Sequence, residues 1–202
     1  MITILNYGMG NLGSIVNMFK HIGVAALVSG DAEQISNAEK ILLPGVGAFD
    51  SAMQGINAMD SIREVLDHKV LVEKVPLLGI CLGMQLLTQS SEEGKLPGLG
   101  YILGHTVRFP AFASLKVPHM GWNLIHQVNP SPLMENLPEE PRFYFVHSYH
   151  VQVEKKANCI ATAHYGIDFD AVIQQDNVFG AQFHPEKSHK FGMNLLENFA
   201  RL

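Results

Sequence analysis

A cysteine set between two glycines, directly after an apolar run, is the strongest chemical signal in the chain. The motif reads GICLG over residues 79–83, and a helical pattern follows it. This order of strand, Gly-x-Cys-x-Gly and helix is typical of a nucleophile elbow, a sharp turn that exposes a reactive side chain. Gly79 and Gly83 leave room for the turn, and Cys81 falls at a helix N-terminus, where unpaired N–H groups favour a thiolate. The backbone N–H of Leu82 is then expected to face an oxyanion on the attacked carbonyl.

One of the ten histidines lies where a base for this thiol is expected. His184 follows a strand candidate at 178–183, and Pro185 restricts it to an extended backbone, so its imidazole should project from the strand end. Glu186 can bend back to the imidazole and hold its tautomer and orientation. The residues therefore predict a triad in which Cys81 is the nucleophile.

The elements that must position this triad differ between the two halves of the chain. In the first half, short apolar runs alternate with segments of helical spacing, which predicts a parallel sheet covered by helices on both faces. The second half has short strand candidates separated by Pro and Gly, which predicts a β-rich, partly antiparallel region. We expect one α/β domain over residues 1–202. The predicted strands are 2–5, 25–28, 40–43, 75–80, 102–109, 121–126, 143–147, 160–165, 171–174 and 178–183, and the predicted helices are 14–21, 48–58, 61–72, 82–89 and 189–201.

Composition excludes several classes of protein. The net charge is −5 and no basic run occurs, which argues against electrostatic binding to nucleic acid. No apolar stretch reaches the roughly 18 residues of a membrane span, and we expect no signal peptide. Two cysteines cannot build a disulfide framework, so we expect a soluble, reduced, cytoplasmic protein with Cys159 as a small core residue. Charged residues make up only 16%, which favours a large buried fraction or a face covered by a partner.

A second glycine motif suggests a nucleotide ligand. Gly8, Gly10 and Gly13 follow a strand candidate and open a helix, as in a dinucleotide-binding fingerprint, and Asp31 lies at a compatible distance. Asp31 falls past the predicted strand end, however, and the rest of the chain offers no arrangement for hydride transfer. We therefore interpret the glycines as a tight turn beside the site or at a partner interface.

The motifs together resemble the class I (triad) glutamine amidotransferase family, and within it the glutaminase subunits of imidazole glycerol phosphate synthases. The resemblance runs nearly end to end and implies a flavodoxin-like central sheet, mostly parallel and flanked by helices. It is carried by NYGMGN at 6–11, PGVGAF at 44–49, GICLGMQ at 79–85, SEEG at 91–94, PHMGWN at 118–123, YFVHSY at 144–149 and QFHPEKS at 182–188.

The resemblance implies hydrolysis of L-glutamine to glutamate and ammonia, with no metal and no cofactor. His184 would act as base and acid in that reaction. Backbone N–H groups of Gly47 and Leu82 would surround the oxyanion, and Gly45 and Val46 would lie in the peptide segment that turns to complete the hole. The groups implied to hold the α-amino and carboxylate ends of glutamine are Gln85, Glu93, His147, Ser148 and Tyr149.

Ammonia release also implies a partner, because free ammonia would escape as ammonium and the chain has no obvious acceptor region. By resemblance the partner is a (βα)8-barrel cyclase, which forms a heterodimer with this subunit and makes imidazole glycerol phosphate and AICAR in histidine biosynthesis. Turnover of the subunit alone is then expected to be slow. The implied interface residues are Asn11, Trp122, Tyr144 and Lys187, with a place in the core as the alternative for the single tryptophan.

Three other functions remain open at this point. Residues 188–193 and 147–150 resemble a paralogous glutaminase that supplies ammonia for sugar amidation or amination in surface-polysaccharide synthesis; His150 stands where the histidine-pathway form usually has an aromatic residue. A non-catalytic regulatory subunit would not need an intact triad. A stand-alone cysteine hydrolase would not need the set of residues implied to bind glutamine.

Overall fold

The computed structural model describes residues 1–111 and 115–202. Within these ranges the architecture is an eleven-stranded sheet and a two-stranded sheet. The strands are β1 (Ile2–Leu5), β2 (Ala26–Ser29), β3 (Ile41–Leu43), β4 (Leu77–Ile80), β5 (Ser90–Ser91), β6 (Gly104–Arg108), β7 (His119–Leu124), β8 (His126–Gln127), β9 (Arg142–His147), β10 (Tyr149–Val153), β11 (Cys159–Tyr165), β12 (Ile167–Gln175) and β13 (Val178–Ala181). The helices are α1 (Leu12–His21), α2 (Ala32–Ser36), α3 (Phe49–Asn57), α4 (Ile62–Asp67), α5 (Leu82–Leu86) and α6 (His189–Arg201). No helix in these ranges is long and apolar enough to cross a membrane.

The large sheet has a parallel half and an antiparallel half. The parallel strands follow the order β2-β1-β3-β4-β13. Beyond β13 the sheet continues antiparallel through β12, β10 and β6, and β5 lies parallel to β6 at the far edge. β11 pairs with β12 off this path, and β8 pairs with β11. β7 and β9 form the two-stranded sheet. This arrangement confirms the predicted α/β class, with a mostly parallel central sheet and a partly antiparallel second half.

Helices bury both faces of the parallel strands, so successive side chains enter two different hydrophobic cores. Leu42 of β3 joins the core that contains residues of α1 and α6. Its neighbour Leu43 joins the core that contains residues of α3 and α4. Each aliphatic side chain buried in this way contributes about 1.5–3 kcal/mol. Burial on both faces is why these strands read as continuous apolar runs in the sequence.

Some element boundaries differ from those predicted. The helix after β4 ends at Leu86 and not at residue 89, because the Leu86 carbonyl accepts from the N–H of Leu99 on a returning segment. The segment predicted as one helix over 61–72 consists of α4 and a π-helical turn, His68–Val72, that follows it directly. The short elements α2, β5 and β10 have no counterpart among the predicted ones.

The amino-terminal glycine motif forms a turn against the loop after β3. Gly8 and Gly10 have φ of +88° and +108°, and a Cβ on Gly10 would lie 3.1 Å from the Pro44 Cβ. The Asp31 carboxylate caps α2 and accepts the Gln34 N–H at 2.9 Å. This aspartate therefore stabilises a helix start, a role that the dinucleotide fingerprint does not require.

Candidate active site

Cys81 lies at the turn between β4 and α5 in a backbone conformation that L-residues rarely adopt, with φ +55° and ψ −111°. Its N–H donates to the Ala181 carbonyl at 2.8 Å, which ties the turn to β13. A Cβ on Gly83 would overlap the Leu43 carbonyl oxygen, and a Cβ on Gly79 would lie 2.6 Å from the Gly83 oxygen. Close backbone approach thus requires glycine at both flanking positions, in agreement with the turn predicted from the sequence.

The parallel pairing of β4 and β13 brings His184 to the same edge of the sheet as Cys81. Ile80 pairs with Ala181 at the ends of the two strands, so the segments that follow them emerge side by side. The His184 N–H donates to the Tyr144 carbonyl at 2.9 Å, which holds the histidine backbone in place. Residues about a hundred positions apart in sequence therefore meet at one edge of the sheet.

His184 and Glu186 form a buried pair. The imidazole Nδ1 donates to the Glu186 Oε1 at 2.8 Å, and the two side chains are only 4% and 2% exposed. Burial by itself lowers the pKa of His184, but hydrogen bonds with Cys81 and Glu186 and the charges of both groups raise it to about 9. The imidazole is therefore protonated at neutral pH and can act as an acid. The second carboxylate oxygen, Glu186 Oε2, is buried and has no hydrogen-bond partner in the part of the chain that the structure describes.

A cavity of about 350 Å³ opens at this edge of the sheet. All of the residues expected to bind substrate line it, together with Val46 and the side chains of Cys81 and His184. Gly45 is not in the lining; it packs against the start of α5, and a Cβ on it would lie 2.7 Å from the Gly83 nitrogen. The expected substrate-binding residues in the lining are Gly47, Leu82, Gln85, Glu93, His147, Ser148 and Tyr149.

Two side chains in the lining present hydrogen-bond acceptors. The Gln85 amide nitrogen donates to the Tyr149 carbonyl and to the Gln182 side-chain oxygen, both at 3.1 Å, so the Gln85 Oε1 is available to accept. The Glu93 carboxylate accepts the N–H of Phe49 at 3.0 Å through Oε2. Acceptors of this kind suit an ammonium group.

Two backbone segments border the cavity, the start of α5 and the loop after β3. Leu82 is the first residue of α5, so its N–H has no acceptor within the helix. Val46 is 43% exposed and Gly47 has φ +110°, and both line the cavity. The Tyr7 hydroxyl donates to the Pro44 carbonyl at 2.6 Å and holds the start of this loop. Burial, and secondarily the charge of Cys81, raise the pKa of Tyr7, which keeps the hydroxyl protonated.

Two residues near the cavity were not singled out from the sequence. Gln182 is fully buried, and its amide nitrogen lies 3.9 Å from the Cys81 sulfur. His119 lies opposite His147 in the β7–β9 pair, with 2.9 Å between its Nδ1 and the His147 Nε2. Both residues fall within motifs that carry the family resemblance, but only strand pairing shows which side chains they contact.

Three of the residues expected at a partner interface lie together: Trp122, Tyr144 and Lys187. With His189 they form what we call the exposed aromatic surface, in which Tyr144 is half-buried. Trp122 is 47% exposed, so the alternative of a place in the core is wrong. Its indole stacks on the His189 ring at 5.6 Å and meets the Tyr144 ring edge-on at 6.1 Å. The Lys187 Nζ lies 5.8 Å from the centre of the Tyr144 ring. Asn11 is exposed at the start of α1, which contacts the turn that contains Lys187.

Comparisons with known proteins agree with this geometry. Residues 3–202 match the family described as Glutamine amidotransferase class-I. Imidazole glycerol phosphate synthase subunit HisH 2 of Methanococcus maripaludis is 53% identical over 201 residues, covering 100% of this chain and 99% of that protein. The protein of the same name from Pseudomonas aeruginosa is 46% identical over 202 residues, covering 100% of both chains. Among solved structures, a glutamine amidotransferase superposes with a TM-score of 0.72 at 18% sequence identity, covering 100% of this chain and 99% of that one. PurLQS from Thermotoga maritima superposes with a TM-score of 0.73 at 17% sequence identity, covering 99% of this chain and 97% of that one.

Proposed function

Because the chain belongs to the class I glutamine amidotransferase family, we propose that it is the glutaminase subunit of an imidazole glycerol phosphate synthase. The observation that carries the proposal is the cavity in which the strained Cys81, the His184–Glu186 pair and the acceptor groups of Gln85 and Glu93 meet. In this proposal the whole chain, residues 1–202, is one amidotransferase domain that works in the cytoplasm and needs no metal or cofactor.

The proposed reaction proceeds through a thioester on Cys81. The sulfur attacks the carboxamide carbon of glutamine, and the N–H groups of Leu82 and Gly47 stabilise the oxyanion, with the Gly45–Val46 peptide turning to complete the hole. The C–N bond then breaks as His184 protonates the nitrogen, and ammonia leaves. His184 next takes a proton from water, which attacks the thioester and releases glutamate and the Cys81 thiol.

The remainder of the cavity is proposed to hold the amino-acid end of glutamine. Gln85 Oε1 and the Glu93 carboxylate are acceptors suited to the α-ammonium group. The backbone stretch His147, Ser148 and Tyr149 lines the same cavity and is assigned to the carboxylate end. A cysteine hydrolase of another specificity would not require this set of groups.

Covalent labelling tests the assignment. A diazoketone analogue of glutamine should modify Cys81 and leave Cys159 unmodified, as located by mass spectrometry after proteolysis. Excess L-glutamine should slow the labelling by occupying the same cavity. Glutaminase activity in a protein whose Cys81 stays unmodified would overturn the proposal, as would labelling that glutamine does not slow.

Glu186→Gln is expected to move the alkaline limit of activity to lower pH. The Glu186 carboxylate helps to hold the proton on His184, whose pKa is about 9. In the variant, the side-chain amide oxygen at position 186 can still accept the hydrogen bond from His184, but the negative charge is lost. The imidazolium that protonates the leaving nitrogen is then lost at a lower pH. Measuring kcat/KM between pH 6 and 10 checks this shift.

Glu39→Gln is the control for that profile, because the Glu39 carboxylate is an exposed partner of the chain's amino group. Thermal unfolding at each pH separates lost activity from lost structure. The unfolding control is needed because the side-chain amide nitrogen introduced at position 186 would lie where Glu186 Oε2 lies, which has no hydrogen-bond partner within the described residues. A buried donor without a partner lowers stability. An alkaline limit that stays unchanged in Glu186→Gln would contradict the assigned role.

We further propose that the ammonia acceptor is a (βα)8-barrel cyclase, which binds at the exposed aromatic surface and makes imidazole glycerol phosphate and AICAR.

Trp122→Ala should weaken binding of this partner about 10- to 100-fold, because exposed aromatic anchors carry much of the affinity at interfaces. The Kd is measured by isothermal titration calorimetry, with the barrel partner titrated into each variant. Val128→Ala is the matched control, since Val128 is 53% exposed and lies near β8. Equal Kd values for both variants would place the interface elsewhere.

A second candidate acceptor is the sugar-modifying system of surface-polysaccharide synthesis. It is favoured by the resemblance of residues 188–193 and 147–150, which include His150, to the paralogous glutaminase. His150 is 1% exposed and its ring lies 4.7 Å from that of Phe109. Complementation of a histidine auxotroph, with the cognate barrel partner supplied, discriminates between the pathways: growth supports the histidine pathway, and failure supports the sugar pathway.

A further inference from the structure

The stretch His147, Ser148 and Tyr149 forms a corner between the two sheets: β9 of the small sheet ends at His147 and β10 of the large sheet begins at Tyr149. Hydrogen bonds hold the backbone carbonyl groups of Ser148 and Tyr149 in place. The Tyr149 carbonyl accepts from His147 Nδ1 at 2.8 Å and from Gln85 at 3.1 Å, and the Ser148 carbonyl accepts from the Phe109 N–H at 3.1 Å. Because the corner lines the cavity, its shape sets where its own groups can meet a ligand.

A directional chain of hydrogen bonds ends at this corner. The Asn123 amide nitrogen donates to the His164 carbonyl at 2.8 Å and lies 3.3 Å from the His119 Nε2. An amide nitrogen only donates, so His119 Nε2 accepts and its proton lies on Nδ1. That Nδ1 is 2.9 Å from the His147 Nε2, which must therefore accept. His147 then carries its own proton on Nδ1, where it donates to the Tyr149 carbonyl.

We propose that His119 is a positioning residue for glutamine binding: it holds His147 in the Nδ1–H tautomer and thereby fixes the corner at Ser148 and Tyr149. This inference rests on the proposed glutaminase function. His119 lies behind the cavity lining and acts through His147.

Burial and packing support a neutral, fixed pair of rings. Burial lowers the pKa of His119 to about 4, and burial, with smaller effects of neighbouring groups, lowers that of His147 to about 3. The His119 ring is stacked between Phe145, at 4.9 Å, and Tyr165, at 4.1 Å, which fixes its plane. Two neutral rings with one proton each are what the directional chain requires.

Substitution of His119 tests the inference. In His119→Leu the His147 Nε2 loses its donor, and we expect the KM for glutamine to rise about 10- to 100-fold while kcat changes by less than about threefold. His119→Asn carries an amide nitrogen that can occupy the position of Nδ1, so it should bring KM back to within about threefold of the wild type. A wild-type KM in His119→Leu, or no rescue by asparagine in a folded variant, would overturn the proposal.

Nuclear magnetic resonance of the unmodified protein gives a second test that does not depend on the variants folding. The ¹⁵N shifts of the imidazole nitrogens should show the proton on Nδ1 in both His119 and His147 between pH 5 and 8. A proton on Nε2 of His147, or titration of either ring near pH 6.5, would contradict the proposed chain of donors.

Labelling of Cys81 separates the failure of this inference from the failure of the proposed function. Iodoacetamide, which lacks the amino-acid end of glutamine, should label His119→Leu as fast as the wild type, whereas the diazoketone analogue of glutamine should label it more slowly. If the analogue labels the wild type and His119→Leu at equal rates, the positioning role is wrong and the glutaminase assignment stands. If the analogue does not label the wild type at Cys81, the glutaminase assignment fails, and with it the role in glutamine binding.

Discussion

Replacing Cys81 with alanine is expected to lower the kcat for glutamine hydrolysis by about four or more orders of magnitude. Alanine has no atom that can form the thioester, and the backbone donors of Leu82 and Gly47 alone would leave only a small residual rate. Release of glutamate, measured with a saturating amount of the proposed barrel partner, checks the loss. The fold should survive, because alanine is smaller than cysteine and fits the same turn.

Cys159→Ala is the matched control for this loss. Cys159 is also a buried free thiol, but it lies in β11, where its sulfur is 3.7 Å from the Ala161 carbonyl. Burial, and secondarily Asp170, raise the pKa of this thiol, which makes it a poor nucleophile. Its replacement should leave kcat within about threefold of the wild type. If Cys81→Ala turned over glutamine as fast as Cys159→Ala, the proposed chemistry would be wrong.

Gly83→Ala is expected to destabilise the fold by at least about 3 kcal/mol, or to prevent folding. The added Cβ would overlap the carbonyl oxygen of Leu43, and it would lie 2.9 Å from the carbonyl carbon. Both atoms belong to the backbone of the central strand β3, which cannot move without disturbing its pairing with β1 and β4. Urea unfolding of the variant gives the free energy of unfolding directly.

Gly13→Ala provides the opposite expectation for the same chemical change. Gly13 lies in α1, and within the described residues a Cβ there would meet nothing within 4 Å beyond its chain neighbours and its own helix backbone. Alanine is the better helix former by about 1 kcal/mol, so stability should stay the same or rise slightly. Equal stability of the Gly83 and Gly13 variants would show that the turn at Cys81 does not depend on close packing against β3.

Local patterns in the sequence predicted the parts of the site that are contiguous in the chain. The spacing of glycines around Cys81 predicted the turn, because the backbones of β3 and α5 leave no room there for a Cβ. The order His184, Pro185, Glu186 predicted the imidazole–carboxylate pair, since a spacing of two residues lets the side chains meet; the burial of this pair was not predicted. The predicted end of the helix at residue 89 was wrong, because the Leu86 carbonyl, which could have continued α5, accepts the N–H of Leu99 from a returning segment.

Contacts between distant strands were decided by the tertiary structure. Cys81 and His184 meet because β4 and β13 are parallel neighbours, and that order depends on burial of the whole sheet and not on any local signal. The same holds for His119 and His147, whose relation exists only in the register of β7 and β9. Sequence by itself determined which chemical groups this protein has and which local turns present them. Strand order and register, which lower the free energy of the whole chain together, decided which of those groups touch.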